Sequence, residues 1–168
     1  MIKILTTTLI LLTSFMTQAI TPDTKNTTEQ FDDWTLVCNE NKENKACHAT
    51  QKIANKQGQL VSTLNILKSA DNKNVIEIVL PLMLDLTIPV AVQVDDKKLE
   101  HHPYSLCNNQ ACFVLISDEA PLMQKMKQGL AMKVQVKPAT QQEHLILQFS
   151  LKGLSRAIKA LDEALNKN

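Results

Sequence analysis

Most of this chain is constrained by a period of two. Between Phe31 and Leu151, apolar residues recur mainly at alternate positions, in short runs separated by polar turns. Trp34, Leu36 and Cys38 share one face of the first run. Val75-Ile76-Glu77-Ile78-Val79-Leu80 carries a single charge, and Val90-Ala91-Val92-Gln93-Val94 leads into the turn Asp95-Asp96-Lys97-Lys98. Further runs cover 46–54, 61–67, 106–112, 112–116, 130–136 and 145–151, with turn residues at 55–58, 71–74 and 108–109. Side chains alternate between the two faces of a strand, so each run can bury one face and leave the other to water. Short strands at this spacing predict a mainly β chain, an antiparallel β-sandwich or barrel-like domain.

Two segments leave this rhythm. Leu122 and Met126 stand at helical spacing within 119–128, which Gly129 ends, so a short helix is inserted there. Leu154, Ile158, Leu161 and Leu165 follow at i, i+4, i+7 and i+11, widened by Ala157, Ala160 and Ala164. This is the apolar stripe of an amphipathic C-terminal helix, expected to dock on the sheet. Its polar face mixes both charge signs, where a membrane-surface helix favours Lys and Arg.

The beginning of the chain is of another kind. Lys3 is followed by an apolar stretch from Ile4 to Phe15 and then by Thr17-Gln18-Ala19. A positive start, an apolar middle and a small-x-small triplet are the three parts of a secretory signal. The apolar stretch is about a dozen residues long, against roughly twenty for a membrane helix. The expected division is therefore a signal peptide over 1–19, cut after Ala19, then a flexible polar lead over 20–30 and a single β-domain over 31–168. No Cys follows Ala19 to accept a lipid. No later run is long and apolar enough to span a bilayer, so no transmembrane segment is expected in the mature chain.

Export gives meaning to the cysteines. There are four, Cys38, Cys47, Cys107 and Cys112, and an even number in an exported chain reads as two disulfides. Four cysteines allow three pairings. The local pairs, Cys38 with Cys47 and Cys107 with Cys112, are preferred because each closes a short loop within a hairpin. A zinc site of these thiols with His48 is the rival, but zinc ligands come as tighter pairs, and only Cys107-x4-Cys112 approaches that spacing.

Charge and motif narrow the function. The chain has 18 Lys and Arg against 17 Asp and Glu, and the signal removes only Lys3, leaving 17 of each. A nucleic-acid partner would call for a basic excess or stripe; none is expected. With 3 glycines in the chain, it has no Gly-rich phosphate loop, no Gly-x-Ser-x-Gly elbow and no His-Glu-x-x-His. His101 and His102 are adjacent and read as solvated loop residues before Pro103. Asp32-Asp33 and Asp95-Asp96 are sequence neighbours and read as turn acids, and Trp34 reads as core. No catalytic, cofactor-binding or metal-ligating residue is assigned. The alternative is an exported enzyme or metal-binding protein that uses His48, His101, His102 or His144 with loop acids.

Several segments together resemble the invasion-associated locus B family of bacterial exported proteins. They are Phe31-Asp32-Asp33-Trp34-Thr35-Leu36-Val37-Cys38 with Cys47, then Pro81-Leu82 and Pro89 through Asp95. Pro103-Tyr104-Ser105-Leu106-Cys107 with Cys112 and Ser150-Leu151-Lys152-Gly153-Leu154-Ser155-Arg156-Ala157 complete the set. The chain departs from the family's common pattern at Ile88-Pro89, at Ala111 and at Leu154. The resemblance implies a mostly β, disulfide-bearing protein of a Gram-negative bacterium, and the near-neutral charge and missing catalytic constellation read as non-enzymatic. It would reside in the periplasm or peripheral outer envelope, or be secreted. Its partner would be an envelope protein or a host-cell surface, and it would contribute to invasion or envelope interactions.

Overall fold

The computed structural model describes residues 25–42, 44–117 and 121–166. The signal over 1–19, with its cleavage after Ala19, and positions 20–24 of the lead lie outside these residues. Among the described residues, eleven strands form two antiparallel sheets. The first five strands are a continuous meander: β1 (Lys25–Phe31), β2 (Trp34–Glu40), β3 (Lys45–Ala54), β4 (Leu60–Lys68) and β5 (Asn74–Leu80). The chain then crosses to a second sheet through β6 (Val90–Val94) and β7 (Glu100–His102). It returns for β8 (Leu106–Cys107) and β9 (Cys112–Ser117). Helix α1 (Leu122–Gln128) precedes β10 (Ala131–Val136) and β11 (Leu145–Ser150), and α2 (Leu154–Asn166) closes the fold. The seven-stranded sheet runs β1-β2-β3-β4-β5-β9-β8 and the four-stranded sheet runs β11-β10-β6-β7.

The alternation in the sequence becomes the division between core and surface. Trp34, Leu36 and Cys38 of β2 face inward with Ala49, Leu64, Ile66, Ile76, Ile78 and Val114 from the neighbouring strands. Val90, Val92, Val94, Met132, Val134 and Phe149 supply the inner face of the smaller sheet, and both sets belong to one apolar cluster. On α2, Leu154, Ala157, Ile158 and Leu161 are buried against β1, β2 and β3. Each of the three large side chains gains roughly 2 kcal/mol from burial, so Leu161→Asp would detach the helix. On α1, Leu122, Met123 and Met126 are buried. The helix starts after Pro121, whose missing N–H costs nothing at a helix start.

Two expectations are corrected. The flexible lead does not extend to residue 30, because Lys25–Phe31 is a full strand paired with β2 at every residue. An edge strand is held by backbone hydrogen bonds and needs no apolar face of its own, so its polar sequence gave no period-two signal. His101 and His102 are likewise not in a loop: they end β7, where Ala91 and Val90 are their partners on β6.

Candidate functional site

The segments singled out in the sequence gather in two places. The first is the turn between β1 and β2, against the chain between β11 and α2. The Ser150 carbonyl accepts from Trp34 Nε1 and from Gln51 Nε2, each at 3.0 Å. Gln51 Oε1 accepts from the Ser150 N–H at 2.8 Å, and Gln51 Nε2 also donates to the Asp33 carbonyl at 2.9 Å. Ser150 Oγ donates to Asp33 Oδ2 at 2.6 Å, and Arg156 forms an ion pair with Asp32. Gly153 completes the junction. It has φ +92°, and a Cβ there would lie 1.9 Å from the Phe31 carbonyl oxygen. No L side chain tolerates both that conformation and that contact.

These residues are structural. Trp34 is fully buried and its N–H is spent on backbone. Asp32 and Asp33 hold a turn and its neighbours. Gln51, which belongs to no motif, is the residue that sequence reasoning missed: it satisfies three backbone groups of two distant segments. A polar residue at an inward-facing position of β3, between Ala49 and Ile53, was the available signal.

The second place is the connection from β5 to β6, Pro81-Leu82-Met83-Leu84-Asp85-Leu86-Thr87-Ile88-Pro89. It is an ordered loop. The Asp85 N–H donates to the Lys137 carbonyl and the Ala139 N–H to the Met83 carbonyl, both at 2.8 Å, and Leu84 bridges Pro138. Asp85 Oδ1 accepts from Thr87 N at 3.0 Å and from Thr87 Oγ1 at 2.6 Å. These bonds to Thr87 hold the Asp85 carboxyl below the usual range. Leu84 is buried, yet Leu82, Met83, Leu86 and Ile88 are 40%, 71%, 52% and 37% exposed. Met83 also has φ +66°, a left-handed conformation uncommon for a large apolar residue. Nearby, burial and then the Asp85 charge push the Tyr104 hydroxyl up, and that buried hydroxyl has no hydrogen-bond partner among the described residues.

The cysteines and histidines are placed as follows. Cys38 is bonded to Cys47 across β2 and β3, and Cys107 to Cys112 across β8 and β9. The Cα atoms are 4.1 and 4.0 Å apart, close to the spacing of directly opposed, non-hydrogen-bonded residues. His48 points to the outer face of the larger sheet, where burial lowers its pKa while Glu77 pulls it up and Lys52 lowers it further. His102 is lowered by burial, with Glu100 opposing and His101 adding to the shift. Its Nε2 is 3.8 Å from Glu100, which is ion-paired with Lys125 of α1. His101 is exposed, and His144 lies in the loop before β11. The four histidines are thus dispersed over both sheets and a loop. Among the described residues, no three His, Cys, Asp or Glu side chains converge to hold a metal ion, and no helix is long and apolar enough to cross a membrane.

Two invasion protein B homologs of Brucella abortus, from strain 2308 and from biovar 1 strain 9-941, are each 28% identical to the chain over 140 residues. The match covers 83% of this chain and 80% of each relative. The crystal structure of invasion associated protein B from Bartonella henselae superposes with a TM-score of 0.73 at 22% identity, covering 84% of this chain and 98% of that one; it shares the fold. The model of the Invasion associated locus B (IalB) protein family matches residues 34–162, and the chain belongs to that family.

Proposed function

We propose that this is an exported, non-enzymatic protein of the bacterial envelope that works by contact with a partner, an envelope protein or a host-cell surface, and contributes to host-cell invasion. Residues 1–19 act as the export signal, and the chain from Lys25 onward folds as one domain once the disulfides have formed outside the cytoplasm. The observation that carries the reading is the loop between β5 and β6. Four large apolar side chains in nine residues are held outward by a hydrogen-bonded scaffold, although burial would be favourable for each of them. Exposed apolar groups concentrated in this way mark interaction sites. The names of the Brucella relatives and of the Bartonella structure, which refer to invasion, support the biological setting.

The test combines location with contact. Periplasm, outer membrane and culture medium are fractionated from the producing bacterium, and host entry is measured for a strain carrying Met83→Ser with Leu86→Ser. Recovery in an exported fraction, with reduced entry at an unchanged protein level, is the expected result. Retention in the cytoplasm would overturn the export reading, and unaltered entry would overturn the role in invasion.

A further inference from the structure

We propose that the groove between the edge strand β1 and helix α2 receives an extended polypeptide segment of a partner, which pairs with β1 as an added strand. Three observations carry this.

The first is the free edge. The Asn41 N–H donates to the Asn44 carbonyl, so the odd-numbered residues of β2 bond toward β3, and Trp34, Leu36 and Cys38 bond toward β1. Their partners are Phe31, Glu29 and Thr27. The N–H and C=O groups of Asn26, Thr28 and Gln30 therefore point away from the sheet. A row of alternating donors and acceptors at this spacing matches another polypeptide backbone.

The second is that the other edges, among the described residues, are shorter or partly occupied. β8 has two residues and β7 has three. At the edge of β11, the outward groups of Ser150 are taken by Gln51 and Trp34. Among the described residues, β1 keeps seven residues with no such cover.

The third is the groove beside it. Two adjoining cavities of about 370 and 380 Å³ lie between β1, β2 and α2, sharing Glu29, Leu36 and Ala164. Phe31, Leu36, Ala160 and Ala164 form an apolar lining. Glu29 and Glu163 oppose Arg156 and Lys159 on the polar lining. An added strand would turn every second side chain toward this groove. The occupant is accordingly a segment with small or medium apolar residues at alternate positions. The balanced charge suits a neutral or mixed-charge peptide over a polyanion. β1 precedes the residues matched by the family model, 34–162, so the match by itself does not supply this edge.

The test uses the full protein and a phage-displayed library of random linear peptides. Thr28→Pro removes an outward-facing N–H and leaves the bonds to β2 in place, the position on an edge strand where proline is tolerated. Ala164→Tyr fills the groove from the helix side. The expected result is a set of peptides with alternating apolar residues whose affinity falls roughly tenfold or more in either variant, at unchanged melting temperature. Methylating alternate peptide nitrogens should abolish binding in one register and spare it in the other, with no change to the protein. Bound peptide should also slow amide exchange at Asn26, Thr28 and Gln30. Failure to enrich any peptide over the Thr28→Pro control would overturn the proposal, as would equal binding to both variants. A wild-type dimer that Thr28→Pro dissociates would overturn it too, by making a second copy the occupant.

Discussion

The junction at Asp33, Gln51, Ser150 and Gly153 and the loop over 81–89 are both held by hydrogen bonds, yet they treat their side chains in opposite ways. At the junction, side chains turn inward and satisfy backbone groups from segments about a hundred residues apart. In the loop, the backbone satisfies itself against the chain at 137–139, and Leu82, Met83, Leu86 and Ile88 are left outside. The first region encloses its polar groups in hydrogen bonds, whereas the second presents an apolar surface. A residue that matters in both a functional and a structural sense would blur this contrast, and substitutions can look for one.

The largest effect is expected from Gly153→Ala. The positive φ and the 1.9 Å approach to the Phe31 oxygen cannot both survive a Cβ. The loss should be on the order of 4 kcal/mol by denaturant unfolding, or no folded protein at all. A drop below about 1 kcal/mol would mean that the junction yields easily. Next comes Gln51→Leu, which leaves the Ser150 N–H and two carbonyls with a lost partner; about 3 kcal/mol is expected. If the variant is as stable as wild type, water replaces Gln51 and the junction is less enclosed than described.

The disulfides fall in the middle. Chain-entropy reasoning gives about 2.7 kcal/mol for the Cys38–Cys47 loop and about 2.2 kcal/mol for the shorter Cys107–Cys112 loop. Paired Cys→Ser variants should therefore rank in that order in unfolding free energy. The reverse order would show that the second bridge also braces the chain between β7 and β9. A smaller effect is expected from pH. Burial holds the folded His48 and His102 below their ordinary pKa, so the unfolded chain binds protons first as pH falls through about 6.5. Stability should decline there and level off below the folded values. Replacing both residues with Gln should flatten the profile between about pH 7.5 and about pH 5.5.

The smallest effect should have the opposite sign. Met83→Gly relieves a left-handed conformation and removes an exposed side chain, so stability should rise by about 0.5 kcal/mol. Leu86→Ser should stay within about 0.5 kcal/mol of wild type. A clear loss in either variant would move the loop into the structural class and remove the observation on which the contact role rests.

The sequence by itself determined the mainly antiparallel β architecture, the inward face of β2 and the stripe of α2. Each is a short-period pattern that a local window contains, and burial of one face follows directly from it. Family membership was also legible, through the ordered set of turn residues, prolines and cysteines. Tertiary structure alone decided the rest. β1 has no apolar period, because an edge strand is selected by the backbone groups of its neighbour. Gln51 has no motif, because its partners at Asp33 and Ser150 are distant in sequence. Gly153 is only one residue of the run Ser150–Ala157 in sequence, and the Phe31 carbonyl that occupies the place of its missing Cβ is distant along the chain. The exposure of the apolar residues over 82–88 has no local signal in sequence. Hydrogen bonds at Met83 and Asp85 tie its backbone to the chain at 137–139, and four of its side chains face solvent.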